Sequence, residues 1–364
     1  MKRTTLVIAL ATMLASACGG TPTPTANHSP ASATHSATAA SGALSCRLPV
    51  AGFVPSAPKG LPDNSVGPDG QDNQKGTGGF LDLPGGTFTP AKDSNRMYLA
   101  SAKQWLPVTT QAVSPDQRSY VLNRLSQHPG AAPTASMVLV QIATKAERPL
   151  FTPPDGQLAF VLAFTSRGIY VEVVSTTGPG PAELLVIDPA TGASHAVGGG
   201  QTPPGVSYSV FTAVSGDSAW GTRIAGSQAQ PSYQLMRLNL ADGTLVIWRH
   251  SETTPPFVLG FDADGNPIVG GGPMSADGAQ VNLLLLRAAG ESTPIPIKGG
   301  TFLQGRGTPV NDAHGTWFGS ADGSIWLYSS ARSLEKVASI PPQPGGTGQP
   351  YDEHAMRSVA GPCV

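Results

Sequence analysis

Charge is scarce in this chain. Only 12% of its 364 residues are charged, about half the usual share for a soluble domain. The 22 basic and 23 acidic residues nearly cancel, for a formal net charge of −1. No strong field is offered to nucleic acid or to an anionic membrane face, so nucleic acid is not an expected partner. Cysteine is scarcer still, with only three, at positions 18, 46 and 363. That excludes zinc sites built on paired cysteines, and no H-E-x-x-H is present either. From Cys46 onward there is no helix-period run of useful length. The apolar stretch TTLVIALATML (Thr4–Leu14) is too short to span a bilayer as a stable helix. Also missing are a G-x-S-x-G nucleophile elbow and a phosphate- or dinucleotide-binding glycine loop between a strand and a helix. No catalytic residue, metal ligand or cofactor is therefore assigned.

What is present begins with an address. Met1-Lys2-Arg3 is a positive n-region, Thr4–Leu14 an apolar core, and Ala15-Ser16-Ala17 a small-residue cleavage pattern. Residues 1–17 read as a signal peptide. The next residue is Cys18. Ordinary cleavage would leave it as a free, exposed thiol, an odd feature in an oxidising compartment. LASAC (Leu14–Cys18) resembles a bacterial lipobox, with Ala15 where a large apolar residue is usual and Leu14 one place earlier. The resemblance implies acylation of Cys18. Residues 18–45 continue as a tract of Ser, Thr, Ala, Pro and Gly without a charge. Such a tract cannot bury enough apolar surface to offset its ordering entropy, and it reads as a tether. The expected location is the bacterial cell surface or periplasm, with a lipid anchor as the only membrane contact. Two cysteines remain, Cys46 and Cys363, at the two ends of residues 46–364. In an exported chain such a pair reads as a disulfide.

Glycine (44) and proline (35) exceed one residue in five, against roughly 12% in average usage. With 40% hydrophobic residues, this suits many short strands joined by tight turns. Strand–turn–strand runs recur: ELLVIDPATGASHAV (Glu183–Val197), QLMRLNLADGTLVIW (Gln234–Trp248), NLLLLRAAGESTPIPI (Asn282–Ile297) and SIWLYSSARSLEKVASI (Ser324–Ile340). Their spacing of roughly 45 residues, all β, is that of a propeller blade with four strands. The reading is an all-β fold, a β-propeller with WD40-like repeats. Six units lie near 80–110, 111–151, 152–200, 201–252, 253–298 and 299–340. Seven blades is the runner-up. The N- and C-terminal segments close the ring, either by adding a strand to the first blade or by forming a seventh.

AVSPDQRSYVL (Ala112–Leu122) resembles the S-P-D-G turn of TolB-like propeller repeats, with Gln117 in place of Gly. NDAHGTWFGSADGSIWLY (Asn311–Tyr328) resembles the signature of regulator-type propellers. Both resemblances imply the fold and no activity. Propeller lyases of the virginiamycin type use histidine, glutamate and magnesium, which singles out His314; alone, it reads as a turn residue. DADGNP (Asp262–Pro267) lacks the glycine and glutamate of a calcium loop and reads as a hairpin turn. SADGSIW (Ser320–Trp326) and SGDSAW (Ser215–Trp220) miss the spacing of a sialidase Asp-box. The five tryptophans, 105, 220, 248, 317 and 326, read as packing between blades. The expected function is a surface-tethered, monomeric propeller lipoprotein that binds or scaffolds an unknown protein, peptide or glycan. The alternatives are a central-channel enzyme, either a lyase or a glycoside-active protein, and a structural cell-envelope component.

Overall fold

The computed structural model describes residues 44–55, 74–76, 78–126, 134–175, 182–200, 206–227, 230–271, 281–303, 307–320, 322–340 and 358–364. The segment read as a signal peptide, Cys18 and nearly all of the tether lie outside them. Among the described residues there is no α-helix, and none long and apolar enough to cross a membrane.

Six antiparallel sheets follow one another along the chain, and they form a six-bladed propeller. Blade 3 shows the pattern: Gln157–Thr165, Gly168–Ser175, Glu183–Ile187 and Ser194–Ala196 pair in sequence order. Blade 4 is Val206–Ser215, Ser218–Ser227, Gln230–Asn239 and Leu245–Ser251. Blade 5 is Phe257–Phe261, Pro267–Gly271, Asn282–Ala288 and Glu291–Pro294. Blade 6 runs from Val310–Asp312 through Gly315–Gly319 and Ser324–Tyr328 to Leu334–Ser339, with Ile297–Lys298 added in parallel at its outer edge. In blade 2, Ser119–Ser126, Thr134–Gln141 and Glu147–Phe151 form three strands, and a single bridge from Val113 to Tyr120 stands for the first strand.

The second strands explain why the sheets stack. In Gly168–Ser175, Ile169, Val171 and Val173 face the core shared with blade 2, while Tyr170 faces the core shared with blade 4. Both faces are buried, so apolar residues occupy both, with Glu172 the one charged residue in the run. Each such side chain contributes about 1.5–3 kcal/mol through burial. Five of the six apolar clusters join neighbouring blades in this way. The tryptophans are part of this packing. Trp220, Trp317 and Trp326 are buried between blades, and Trp248 stacks edge-on against Trp220.

The seam between blades 1 and 2 is filled differently. The unit expected near 80–110 is not one blade. Gly79–Leu83 and Thr87–Pro90 join blade 1, while Met97–Leu99 and Gln104–Leu106 pair only with each other. This hairpin packs Met97, Leu99 and Leu106 against Tyr120, Val138 and Val140 of blade 2. On its other side Tyr98 and Trp105 meet the Phe80 ring of blade 1, and the Tyr98 N–H bonds the Ala360 carbonyl.

Blade 1 closes the ring. Its order is Ser358–Val359, Cys46–Ala51, Gly79–Leu83 and Thr87–Pro90. Ser358–Val359 and Cys46–Ala51 both enter this sheet, and among the described residues no seventh blade forms. Arg47 and Val364 exchange two backbone hydrogen bonds of 3.0 Å. Cys46 and Cys363 are bonded to each other across a sequence separation of 317 residues, with Cα atoms 5.6 Å apart. By the chain-entropy argument, closing so long a loop stabilises by up to roughly 5–6 kcal/mol.

The turns within each blade differ by face. First-to-second and third-to-fourth connections are tight, such as Ser166–Arg167 and Gly216–Asp217. Second-to-third and blade-to-blade connections meet at the opposite face.

Candidate functional site

Polar side chains at one repeated position cross the seams between blades. Asn123, Glu172 and Thr222 each lie four residues after the residue that opens the second strand of blades 2, 3 and 4. Asn123 Nδ2 donates to the Ala159 carbonyl of blade 3 at 2.9 Å. The Phe211 N–H of blade 4 donates to Glu172 Oε1 at 2.6 Å. Thr222 Oγ1 donates to the Pro256 carbonyl at the start of blade 5. In blades 5 and 6 the matching residues facing the next blade are Gly270 and Gly319, which carry no side chain. There Thr316 Oγ1 of blade 6 reaches back to the Phe261 carbonyl of blade 5 at 2.7 Å.

Glu172 is the only charged residue in the buried set among the described residues, at 5% exposure. Burial pushes its carboxyl from its usual 4.5 up to about 7, and the Phe211 N–H opposes that only in part. Arg223, which follows Thr222 on blade 4, donates to Gln234 Oε1 at 2.5 Å, and burial holds its guanidinium below the usual arginine range. Asn123, Glu172 and Thr222 were not singled out from sequence. Aligning the second strands of successive repeats would have shown a polar residue recurring at one buried position.

A groove runs along the seam between blades 4 and 5. Its first part is a cavity of about 300 Å³ lined by Arg249, Ser251, Thr253, Thr254 and Asn282, over Gly270 and Gly271. A second cavity of about 410 Å³ also has Arg249 in its wall, with Trp248, His250, Glu291 and Ser292. Arg249 Nη1 lies 3.4 Å from Ser292 Oγ, and among the described residues no carboxylate pairs with it. Beneath the groove Trp220 and Trp248 pack under the Arg237 guanidinium, which is held by Ser218 Oγ at 2.7 Å.

Of the residues weighed from sequence, Trp248 lines the second cavity, while the turn residues fall elsewhere. His314 lies in the first turn of blade 6, its N–H donating to Asp312 Oδ1 at 2.7 Å. Asp312 Oδ2 accepts the Cys363 N–H at 3.0 Å. The ligand atoms of Asp312, His314 and Cys363 lie within 4.8 Å of one another. Because that sulfur is already bonded to Cys46, it is no thiolate ligand. The trio is a clasp on the chain terminus. Asp262 accepts from the N–H groups of Asp264 and Asn266, and Asp322 from that of Ser324, so both near-motifs are turns. In the S-P-D turn, Ser114 Oγ donates to Asp116 Oδ1 at 2.6 Å, and Gln117 adopts a left-handed φ of 57° where glycine is usual.

No protein-family model and no curated protein matches the sequence. Solved structures do share its arrangement. TolB from Acinetobacter baumannii is similar at 12% identity and a TM-score of 0.45, covering 79% of this chain and 62% of its own. An oligogalacturonate lyase from Vibrio parahaemolyticus is similar at 13% identity and a TM-score of 0.43, covering 82% and 74%. Prolyl oligopeptidase B from Galerina marginata follows at 10% identity and a TM-score of 0.44, covering 72% and 39%. This chain thus spans less than two thirds of TolB. At these scores the likenesses say nothing about activity.

Proposed function

We propose that this chain is an exported lipoprotein whose propeller binds a ligand, or scaffolds a partner, at a membrane surface. In this reading the signal peptide is removed after Ala17, Cys18 carries the lipid, and residues 18–45 hold the ring away from the membrane. The observation that carries the binding role is the groove between blades 4 and 5, with Arg249 in the wall of both its parts. Concave sites with a few converging polar groups are where propeller-sized domains hold ligands. The bonded pair Cys46–Cys363 supports export, since such bonds persist in oxidising compartments.

The test is made on protein from its host's membrane fraction, digested without reducing agent and weighed. A diacyl- or triacylglyceryl mass on the Cys18 peptide supports the anchored reading. An unmodified Cys18 in a soluble fraction overturns the anchor. Surface crosslinking on intact cells then examines binding. A partner or glycan crosslinked through the groove supports the role, and crosslinks that never involve blades 4 and 5 overturn it.

A further inference from the structure

We infer that the groove between blades 4 and 5 recognises a sugar acid, with Arg249 as the group that holds its carboxylate. This rests on the binding reading above and names the ligand class for that groove. Among the described residues, Arg249 is the only charged side chain in the lining of the first cavity. Its guanidinium touches one hydroxyl, Ser292 Oγ at 3.4 Å, and among the described residues it has no carboxylate partner. A planar guanidinium presents a fork of donors that matches a carboxylate, and charge assistance roughly doubles the strength of such a bond.

The rest of the lining narrows the class. Ser251, Thr253 and Thr254 offer hydroxyls and Asn282 offers an amide. Each hydroxyl can donate and accept, and the amide can do both. That set suits a ligand with hydroxyls beside its carboxylate. At about 300 Å³ the first cavity lies at the small end for ligand pockets. It has room for a single ring, with the second cavity, across Arg249, open to a second unit. Gly271 keeps the floor clear: a Cβ there would meet only Thr254 Oγ1, at 3.9 Å.

The test is an NMR titration of the isotope-labelled mature chain with sodium glucuronate, methyl glucoside and an acetylated dipeptide carrying a free C-terminus. Saturable amide shifts at Ser251, Thr254, Gly271 and Asn282 are expected with glucuronate and not with the glucoside. Arg249→Gln should weaken the glucuronate response about tenfold or more, and Arg249→Lys by less. Unchanged spectra elsewhere in Arg249→Gln show that the ring still folds. Equal response to glucoside and glucuronate overturns carboxylate recognition but leaves the groove a binding site. Response to the dipeptide alone overturns the sugar class. No response to any of the three overturns this inference, while the crosslinking experiment decides the binding role separately.

Discussion

Glu172 of blade 3 accepts the backbone N–H of Phe211 in blade 4 at 2.6 Å, beside the apolar cluster that fills this seam. Asn123 and Thr222 make the same kind of bond at neighbouring seams with neutral groups. The middle of the three latches is therefore the one that titrates.

Its carboxyl is raised from 4.5 to about 7 by burial. A raised folded-state value means that the folded protein binds this proton more tightly than the unfolded chain does. The stability it contributes is full below about pH 4.5 and is lost as pH rises through about 7, amounting to about 3 kcal/mol by linkage. Glu172→Gln keeps an acceptor for Phe211 and removes the charge. Denaturant unfolding from pH 4 to 9 should show the variant more stable than the parent at pH 8 and not at pH 4. Parallel curves for the two proteins would contradict this.

Thr222 offers a check on the latch without a charge. Thr222→Val keeps the shape and leaves the buried Pro256 carbonyl without its donor. A loss of about 1–2 kcal/mol is expected in urea unfolding, with an unchanged m-value. A neutral result would mean that the seam between blades 4 and 5 is held by its apolar cluster and its other hydrogen bonds without help from Thr222.

The ring closure is tested through Cys46 and Cys363. Cys46→Ser with Cys363→Ser should lower stability by roughly 2–5 kcal/mol, below the limit that loop length alone gives. Thermal unfolding of the parent with and without reductant should reproduce that loss. The paired backbone bonds of Arg47 and Val364 remain in both cases, so the reduced ring should still fold at low temperature.

Gln117 occupies a left-handed turn position at a φ of 57°. Glycine meets no Cβ penalty there, which is worth about 1–2 kcal/mol. Against this stand the lost Ser101–Gln117 hydrogen bond and the freer unfolded chain. Gln117→Gly should leave stability within about 1 kcal/mol of the parent, on the stabilising side. A Tm drop of several degrees would show that the Ser101 bond dominates.

The blade units from 111 to 340 were legible because each repeats a local pattern. Short β-branched runs and turn residues recur at a near-constant spacing, and such patterns depend only on neighbours in the chain. The lone cysteines at 46 and 363 likewise marked the ends that meet. Blade 1 was not legible in the same way. Gly79–Leu83 and Met97–Leu99 look alike as isolated strands, and only pairing partners separate them: Cys46–Ala51 for one, Gln104–Leu106 for the other. The candidate site was less visible still. Arg249 and Asn282 belong to different repeats, and neither shows a motif.

The sequence by itself determined the strand-and-turn alphabet, its period and the export-like N-terminus, since these follow from local propensity and composition. Tertiary structure alone decided that both termini enter one sheet, that a hairpin wedges the seam between blades 1 and 2, and that Glu172 meets Phe211. The physical reason is that each seam is a contact between faces distant in sequence. A residue there is read by what the facing blade presents, whether a carbonyl, an N–H or an open groove, and no local pattern encodes that partner.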